Sequence, residues 1–158
     1  MTRQLLLTIG AHVYGQPGSL EKGRKAITNW MQGEGIDTNG FFIDNGSGLS
    51  REARVTADTL NQLARHQWQS PWMPEMLSSL SILGRDGTGK KRLKRDPLQG
   101  TMHLKTGLLD HVRSMAGVFQ TSNGKRYLVI SMQNHKDIHK LTGTRIQDEL
   151  LQWLDQNG

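Results

Sequence analysis

The segment Thr101-Met102-His103-Leu104-Lys105-Thr106-Gly107-Leu108 is interpreted as a β-strand, and the prediction of the fold starts from it. Side chains alternate between the two faces of a strand, so His103 and Lys105 are expected on the same face. Two more strands should follow, over 111–121 and 126–133, joined by Asn123-Gly124, the favoured pair for a two-residue hairpin turn. This half of the chain is therefore predicted to form an antiparallel sheet.

Helices are expected before and after these strands. Ser19 can cap a helix that ends near Gly33. Thr56 begins another helix that runs to about Trp68, and a third starts at Ser70-Pro71. The last helix should cover the sheet with an apolar stripe of Ile146, Leu150, Trp153 and Leu154. This order of elements predicts an α/β (α+β) fold with an antiparallel sheet flanked by helices.

The segments between these elements carry weaker signals. Phe41-Phe42-Ile43 is predicted as a short apolar strand, with turn residues Asn45-Gly46-Ser47-Gly48 behind it. From Gly84 to Gly100, glycine and basic residues together with Pro97 predict an irregular, solvated segment. Leu128-Val129-Ile130 is apolar without alternation, which favours a strand covered on both faces.

Composition limits the class of protein. With 158 residues the chain is long enough for one domain with a sizeable core, and we predict a single domain over residues 1–158. A net charge of +6 favours an anionic partner, which could be nucleic acid, a membrane surface or an acidic wall polymer. The absence of cysteine excludes disulfides and thiolate metal sites. The apolar run Leu5-Leu6-Leu7-Thr8-Ile9 is too short for a membrane span or a signal peptide, so we expect neither.

Lys105-Thr106-Gly107 belongs to a motif set in which a K-T-G strand accompanies S-x-x-K and S-x-N elements. Further matching segments are Gly15-Gln16-Pro17-Gly18-Ser19, Gly35-Ile36-Asp37, Asn45-Gly46-Ser47-Gly48-Leu49-Ser50-Arg51, Gly87-Thr88 and Ala116-Gly117. From Gln4 to Asn134 the chain resembles the C-terminal part of the class C penicillin-binding proteins, the serine-type D-alanyl-D-alanine carboxypeptidase/endopeptidases of bacterial cell walls. The resemblance implies a partial β-lactamase/transpeptidase-like domain, whose other strands and nucleophile helix lie in another part of the same domain.

The resemblance also implies roles for individual residues. Lys105 would be the catalytic residue present, supporting the electrostatics of the site, and Thr106 would contact the terminal carboxylate of the substrate. Gly107 would leave room for close backbone approach, and the backbone N–H of Leu108 would be an oxyanion donor. Ser47 either borders the substrate groove or uses its hydroxyl to satisfy its own turn. No metal or cofactor is expected.

The other motifs of that set are not matched convincingly. The two S-x-x-K sequences, Ser19-Leu20-Glu21-Lys22 and Ser122-Asn123-Gly124-Lys125, fall at a helix start and in the predicted hairpin turn, so neither is favoured as a nucleophile. No S-x-N or Y-x-N sequence occurs. We therefore expect this chain to carry only the K-T-G part of an active site and to be inactive alone. A second hypothesis is a non-catalytic remnant that binds wall peptide, or a partner chain that completes its sheet.

The resemblance further implies partners and a location. The intact enzyme would work in the periplasm or otherwise outside the cytoplasmic membrane, where peptidoglycan peptide stems and β-lactams are its ligands. This chain would also need the missing N-terminal part of the same domain. An incomplete sheet and an uncovered apolar face predict marginal stability or self-association.

Three other patterns in the sequence suggest different functions. The stretch 84–91 nearly matches a P-loop but ends in Lys91, where Ser or Thr is required. A basic nucleic-acid-binding module is the main alternative of another class, but it is not favoured because no aromatic residue lies between Trp72 and Phe119 to stack bases. It would use Lys90, Lys91, Arg92, Lys94 and Arg95. His135 and His139 are four residues apart, and we expect ordinary surface histidines rather than metal ligands.

Overall fold

The structure, a computed structural model, describes residues 1–158, which divide into two compact units, Met1–His66 and Gln67–Gly158. Its helices and strands are α1 (Thr2–Tyr14), α2 (Leu20–Gly33), α3 (Ala57–Trp68), α4 (Met73–Ser79), β1 (Ser81–Ile82), β2 (Met102–Leu109), β3 (Val112–Gln120), β4 (Arg126–Asn134) and α5 (Leu141–Asn157). The predicted α/β (α+β) class with an antiparallel sheet is confirmed. The single domain stays a prediction. None of the helices combines the length and the apolar content that crossing a membrane requires.

In the first unit, α1 packs against α2 through glycines. A Cβ atom on Gly10 would lie 2.6 Å from the backbone nitrogen of Gly23, and one on Gly23 would lie 2.3 Å from the carbonyl oxygen of Leu6. Only a residue without a side chain allows the two helix backbones to approach this closely. The predicted cap of α2 is confirmed, because the Ser19 hydroxyl accepts the N–H of Lys22 at 3.2 Å.

Phe41-Phe42-Ile43 is not a strand, contrary to the prediction. Only Phe42 pairs, exchanging two backbone hydrogen bonds with Arg54. A strand needs a continuous ladder of partners, and one bridging residue does not supply it. The Phe42 ring instead lies beneath the Arg24 guanidinium, whose central carbon is 5.1 Å from the ring centroid.

The starts of α3 and α4 differ in how well the sequence predicts them. Thr56 caps α3 as predicted, with its hydroxyl accepting the N–H of Thr59 at 3.0 Å. The next helix begins at Met73 rather than at Ser70-Pro71. The reason is a separate turn, in which the Ser70 hydroxyl accepts the N–H of Trp72 at 3.1 Å.

The second unit is built on a four-stranded antiparallel sheet in the order β1-β2-β3-β4. The hairpin predicted through Asn123-Gly124 is confirmed between β3 and β4, but its turn is longer than the predicted two residues. A two-residue turn lies at Asp110-His111, between β2 and β3. The connection from β3 to β4 is longer. In it the N–H of Gly124 donates to the carbonyl of Thr121, and Gly124 has a φ of +87°. Gly124 therefore provides the left-handed residue of a longer hairpin loop.

The core of this unit lies between the sheet and α5. Its buried side chains are Leu83, Leu98, Met102, Leu104, Met115, Phe119, Val129 and Leu151. Leu150 and Leu154 pack against this core, but Ile146 and Trp153 are 46% and 58% exposed. The predicted apolar stripe of α5 is thus correct for Leu150 and Leu154 and wrong for Ile146 and Trp153. The face that meets the sheet is centred on Leu151 rather than on Leu150.

β4 is the last strand of the sheet, and its apolar run is covered unevenly. Val129 is 5% exposed, while Leu128 and Ile130 are half-buried. Neighbouring residues of a strand point to opposite faces, so the core face of β4 is closed and the other is only partly covered. The prediction of cover on both faces is therefore wrong, because only the face that carries Val129 is closed.

The segment from Gly84 to Gly100 is irregular, as predicted, but it is not solvated throughout. Arg92 is only 6% exposed, and its Nε and Nη2 atoms donate hydrogen bonds of 2.9 and 2.6 Å to Oδ1 of Asp148 on α5. Burial, followed by the nearby Arg92 charge, lowers the pKa of Arg113 on β3, while Asp148 acts in the opposite direction. The buried ion pair of Arg92 and Asp148 thus links this segment to α5.

Candidate functional site

The K-T-G residues lie on β2, where one edge of the strand is open. β1 pairs with β2 only through Ser81 with Leu104 and Ile82 with His103. Beyond Leu104 that edge has no neighbouring strand, whereas the opposite edge of β2 is paired with β3 along its whole length. Lys105, Thr106, Gly107 and Leu108 therefore border the part of the sheet edge that can accept another chain.

The direction of the backbone groups on this edge follows from the ladder. The carbonyl of Met102 accepts the N–H of Leu83, on the β1 side, at 2.9 Å. Backbone groups of alternate residues point to the same edge in an antiparallel sheet, so Thr106 and Leu108 present theirs to the open edge. The Lys105 ammonium bends over this edge and donates to the carbonyl oxygen of Thr106. The position predicted for an oxyanion donor, the Leu108 N–H, is thus on the accessible side.

Thr106 and Gly107 each have one close side-chain neighbour. The hydroxyl of Thr106 is hydrogen-bonded to that of Thr88 at 2.7 Å, which links β2 to the short 3₁₀ turn Gly87–Gly89. A Cβ atom on Gly107 would lie 2.3 Å from the hydroxyl oxygen of Ser114. Thr88 thus contacts a predicted site residue although it was not among them, and the sequence signal for it was the Gly87-Thr88 segment shared with the family it resembles.

The sheet face that carries His103 and Lys105 is bordered by a cavity of about 300 Å³. Trp68, Leu77, Val118 and Arg126 are among its lining residues, together with His103. Nδ1 of His103 lies 3.0 Å from the carbonyl oxygen of Leu77 at the end of α4. His103 therefore contacts the end of a helix. The sequence alone could not show whether this side chain meets a helix or a substrate.

Ser47 lies in the first unit and uses its hydroxyl within its own turn. It donates to Oδ1 of Asn45 at 2.5 Å and accepts the N–H of Leu49 at 3.1 Å. These bonds match the second of the two predicted roles, satisfaction of turn groups. A role for Ser47 at a substrate groove stays a prediction.

Both serines of the S-x-x-K sequences are committed to local structure. Ser19 caps α2, and Lys22 Nζ donates to the carbonyls of Gly15 and Pro17 at 2.7 and 3.0 Å. The Ser122 hydroxyl donates to a carboxylate oxygen of Asp155 at 3.1 Å. Neither arrangement places a lysine amine on the serine hydroxyl, as an activated nucleophile requires.

The basic segment does not form the phosphate site considered from the sequence. Its exposed cations are Lys90, Lys91, Lys94 and Arg95, whereas Arg92 is buried against Asp148. The near-P-loop is preceded by the two-residue β1 and contains only the three-residue turn Gly87–Gly89. A P-loop needs a buried strand before it and a helix after it, and neither is present.

A cluster of metal-ligand residue types lies where the Asp110-His111 turn meets the loop between β4 and α5. His111, Asp137 and His139 each bring one ligand-type atom within 4.8 Å of the others. A hydrogen bond with Lys140 lowers the pKa of Asp137, which is ionised at neutral pH. In the sequence, His139 is closest to His135, four residues earlier. In the fold it contacts His111 instead, which is 28 residues away along the chain. No local sequence pattern could have predicted that pairing.

A sequence profile of the D-Ala-D-Ala carboxypeptidase 3 (S13) family matches residues 1–157. Among curated proteins, a D-alanyl-D-alanine carboxypeptidase of an Actinomadura species is 29% identical over 136 residues, covering 83% of this chain and 25% of that protein. A D-alanyl-D-alanine carboxypeptidase of Haemophilus influenzae is 26% identical over 132 residues, covering 82% and 28%. The chain thus spans about a quarter of the length of these relatives.

Solved structures show the same fold. Penicillin binding protein 4 of Haemophilus influenzae matches with a TM-score of 0.87 at 23% identity, covering 98% of this chain and 36% of that one. A predatory endopeptidase of Bdellovibrio bacteriovorus matches with a TM-score of 0.62 at 17% identity, covering 98% and 43%. The predicted partial transpeptidase-like architecture is therefore confirmed.

Proposed function

Because the chain belongs to the D-Ala-D-Ala carboxypeptidase 3 (S13) family, we propose that it supplies the K-T-G part of the active site of a serine-type D-alanyl-D-alanine carboxypeptidase/endopeptidase. Its substrates would be peptidoglycan peptides, and the whole enzyme would act in the periplasm or otherwise outside the cytoplasmic membrane. The observation that carries this proposal is the open edge of β2 beside Lys105, Thr106 and Leu108.

A peptide would bind this edge as an additional strand. The outward N–H and C=O groups of Thr106 and Leu108 offer the main-chain partners that such binding uses. The Thr106 hydroxyl, held by Thr88, would donate to the terminal carboxylate of the peptide, and the Lys105 ammonium would add favourable charge. Gly107 keeps the strand surface free of a side chain next to the scissile bond.

Catalysis would use the Leu108 N–H as one of the donors to the developing oxyanion. A donor of this kind contributes about 3 kcal/mol to transition-state stabilisation in a complete site. The activated serine and its lysine would come from residues outside this chain, since Ser19 and Ser122 are held by local hydrogen bonds. We therefore propose that the isolated chain binds but does not turn over substrate.

Peptide binding is the direct test of the proposed edge. The isotope-labelled chain would be titrated with a peptide ending in D-Ala-D-Ala while amide shifts are followed by NMR. We expect saturable shifts at Thr106 and Leu108, weaker binding by the isosteric variant Thr106→Val, and little response to the matching L-Ala-L-Ala peptide. Shifts confined to other regions, or equal responses to both peptides, would contradict the proposal.

Intact mass after incubation with a β-lactam tests the second part of the proposal. A serine acyl-enzyme adds the mass of the drug to the chain, and we expect no adduct. An adduct on any serine would refute the claim that the nucleophile lies outside these residues. If no adduct forms and peptide binding is stereospecific, the non-catalytic remnant would also be consistent with the data. Measuring the activity of the whole protein with and without Lys105→Ala distinguishes that remnant from part of an active enzyme, because only the enzyme would lose activity.

A further inference from the structure

His111, Asp137 and His139 form a compact group at the far end of the K-T-G strand. His111 is in the two-residue turn after β2, and the other two residues are in the loop between β4 and α5. One ligand-type atom from each lies within 4.8 Å of the other two, and the two imidazole rings meet edge to face with centroids 5.3 Å apart. Neither the proposed peptide site nor the core uses these side chains.

The hydrogen bonds around the two rings show which ring nitrogen acts as an acceptor. Nδ1 of His139 accepts the backbone N–H of His111 at 2.9 Å, and Nδ1 of His111 accepts the backbone N–H of Asp137 at 3.2 Å. An N–H donor requires an unprotonated ring nitrogen, so these two contacts assign the Nε2–H tautomer to each neutral ring. Both Nδ1 lone pairs thus point into the junction of the two loops, where each accepts one backbone N–H.

A carboxylate and a backbone contact also lie beside the group. Nε2 of His139 is 4.0 Å from a carboxylate oxygen of Asp110, which is too long for a hydrogen bond but within reach of one if the loop moves, and ligating histidines commonly direct their second nitrogen at a carboxylate. The backbone also holds the two loops together, because the N–H of His135 donates to the carbonyl of His111 at 3.0 Å. His111 and Asp137 have φ values of +66° and +64°, which His and Asp adopt more readily than most residues.

We propose that His111, Asp137 and His139 form a binding site for a divalent transition metal ion, with Zn²⁺ as the representative. Two imidazole nitrogens and one carboxylate oxygen are ligands that Zn²⁺ takes at about 2.0–2.2 Å, and water would complete its tetrahedral shell. The ligand atoms need to close by about an ångström to reach the ligand-to-ligand spacing of that geometry. Both loop segments lie at the surface, where such a movement is least restricted.

The ion would replace interactions that are individually weak. It would take the place of two N–H to Nδ1 hydrogen bonds, and the contact of Lys140 with Asp137, 3.1 Å long, is an exposed pair of a kind that contributes little. The bound ion would link the turn after β2 to the loop before α5. Since an ion that binds only the folded chain stabilises it by mass action, thermal stability should rise with Zn²⁺ concentration.

Zinc titration of the chain is the first measurement. We expect one ion per chain by isothermal calorimetry, a melting temperature that rises with ZnCl₂ and returns with EDTA, and, with Co²⁺ as a spectroscopic probe, the intense visible absorption of a four-coordinate ion. The absence of saturable binding would overturn the proposal, as would several equivalent weak sites.

Asparagine variants separate metal ligation from the structural role of the rings. His111→Asn and His139→Asn each place an amide oxygen near the position of Nδ1, so the backbone N–H keeps its acceptor, and Asn tolerates positive φ. We expect both variants to melt close to the parent without metal and to bind Zn²⁺ at least tenfold more weakly. His135→Asn, a neighbour outside the group, should bind as the parent does. Equal weakening by His135→Asn, or no weakening by the first two, would refute the assignment.

Discussion

Gly107 and Gly117 show how single residues set the spacing of the K-T-G strand and its neighbour. A Cβ on Gly117 would lie 2.0 Å from the backbone oxygen of His103, whereas a Cβ on Gly107 would meet only the Ser114 side-chain oxygen, at 2.3 Å. A hydroxyl can rotate away, but a backbone oxygen inside a sheet ladder cannot. We therefore predict that Gly117→Ala lowers the free energy of unfolding by about 3 kcal/mol and Gly107→Ala by about 1 kcal/mol.

Denaturant unfolding of the two variants checks this prediction. Ser114→Ala serves as the matched second change, because it removes the oxygen that a Gly107 substitution would meet. It should restore most of the stability lost in Gly107→Ala and none of that lost in Gly117→Ala. Equal losses in the two glycine variants would mean that β2 and β3 are not spaced as described.

At the level of residues, the sequence predicted local features better than distant ones. Ser19 and Thr56 were identified as helix caps because a cap bonds a backbone group only a few residues away. Arg92 was assigned to a solvated basic segment, since nothing nearby in the sequence reveals Asp148, 56 residues further along. The pairing of His111 with His139 was missed for the same reason.

At the level of elements, the ion pair of Arg92 and Asp148 joins the irregular segment Gly84–Gly100 to α5. The side chains are only 5% and 19% exposed, so removing one partner leaves a buried charge uncompensated. We predict that Asp148→Asn destabilises the chain by about 3 kcal/mol, the usual cost of breaking a buried pair. The double variant Arg92→Met with Asp148→Leu should lose less than Asp148→Asn alone, which thermal melts can measure. A double variant at least as unstable as the single one would argue against charge burial as the cause.

Element existence was predicted more reliably than element detail. The strands after Lys105 and the helix α5 follow from apolar patterns that many residues share. The side of α5 that meets the sheet was misjudged because Trp153 is apolar enough to imply burial, yet the register of the helix on the sheet favours Leu151. Phe41-Phe42-Ile43 carried a strand pattern without a partner, and a sequence pattern cannot reveal whether a partner exists.

At the level of the whole molecule, the family and the sheet could be predicted from the K-T-G motif and its flanking segments, which the profile match over residues 1–157 supports. The roles of Lys105, Thr106 and Leu108 could be given only as implications of the resemblance. They depend on how a nucleophile and a bound substrate are placed relative to β2, and a sequence pattern does not give that placement. The open edge of β2 gives these roles a geometric basis that sequence spacing could not.

Self-association is the prediction that belongs to the whole molecule. Besides the open edge of β2, α1 exposes an apolar stripe at helical spacing, in which Leu5, Ile9 and Val13 are 56%, 39% and 53% exposed. Apolar stripes and unpaired strand edges both promote association between chains. We expect the weight-average mass from sedimentation equilibrium to rise with protein concentration. Replacing Leu5 and Ile9 by lysine should lower the association, whereas replacing the exposed polar Thr8 should not. A monodisperse, stable monomer at all concentrations would contradict the prediction and would mean that neither the exposed stripe nor the open edge needs a partner.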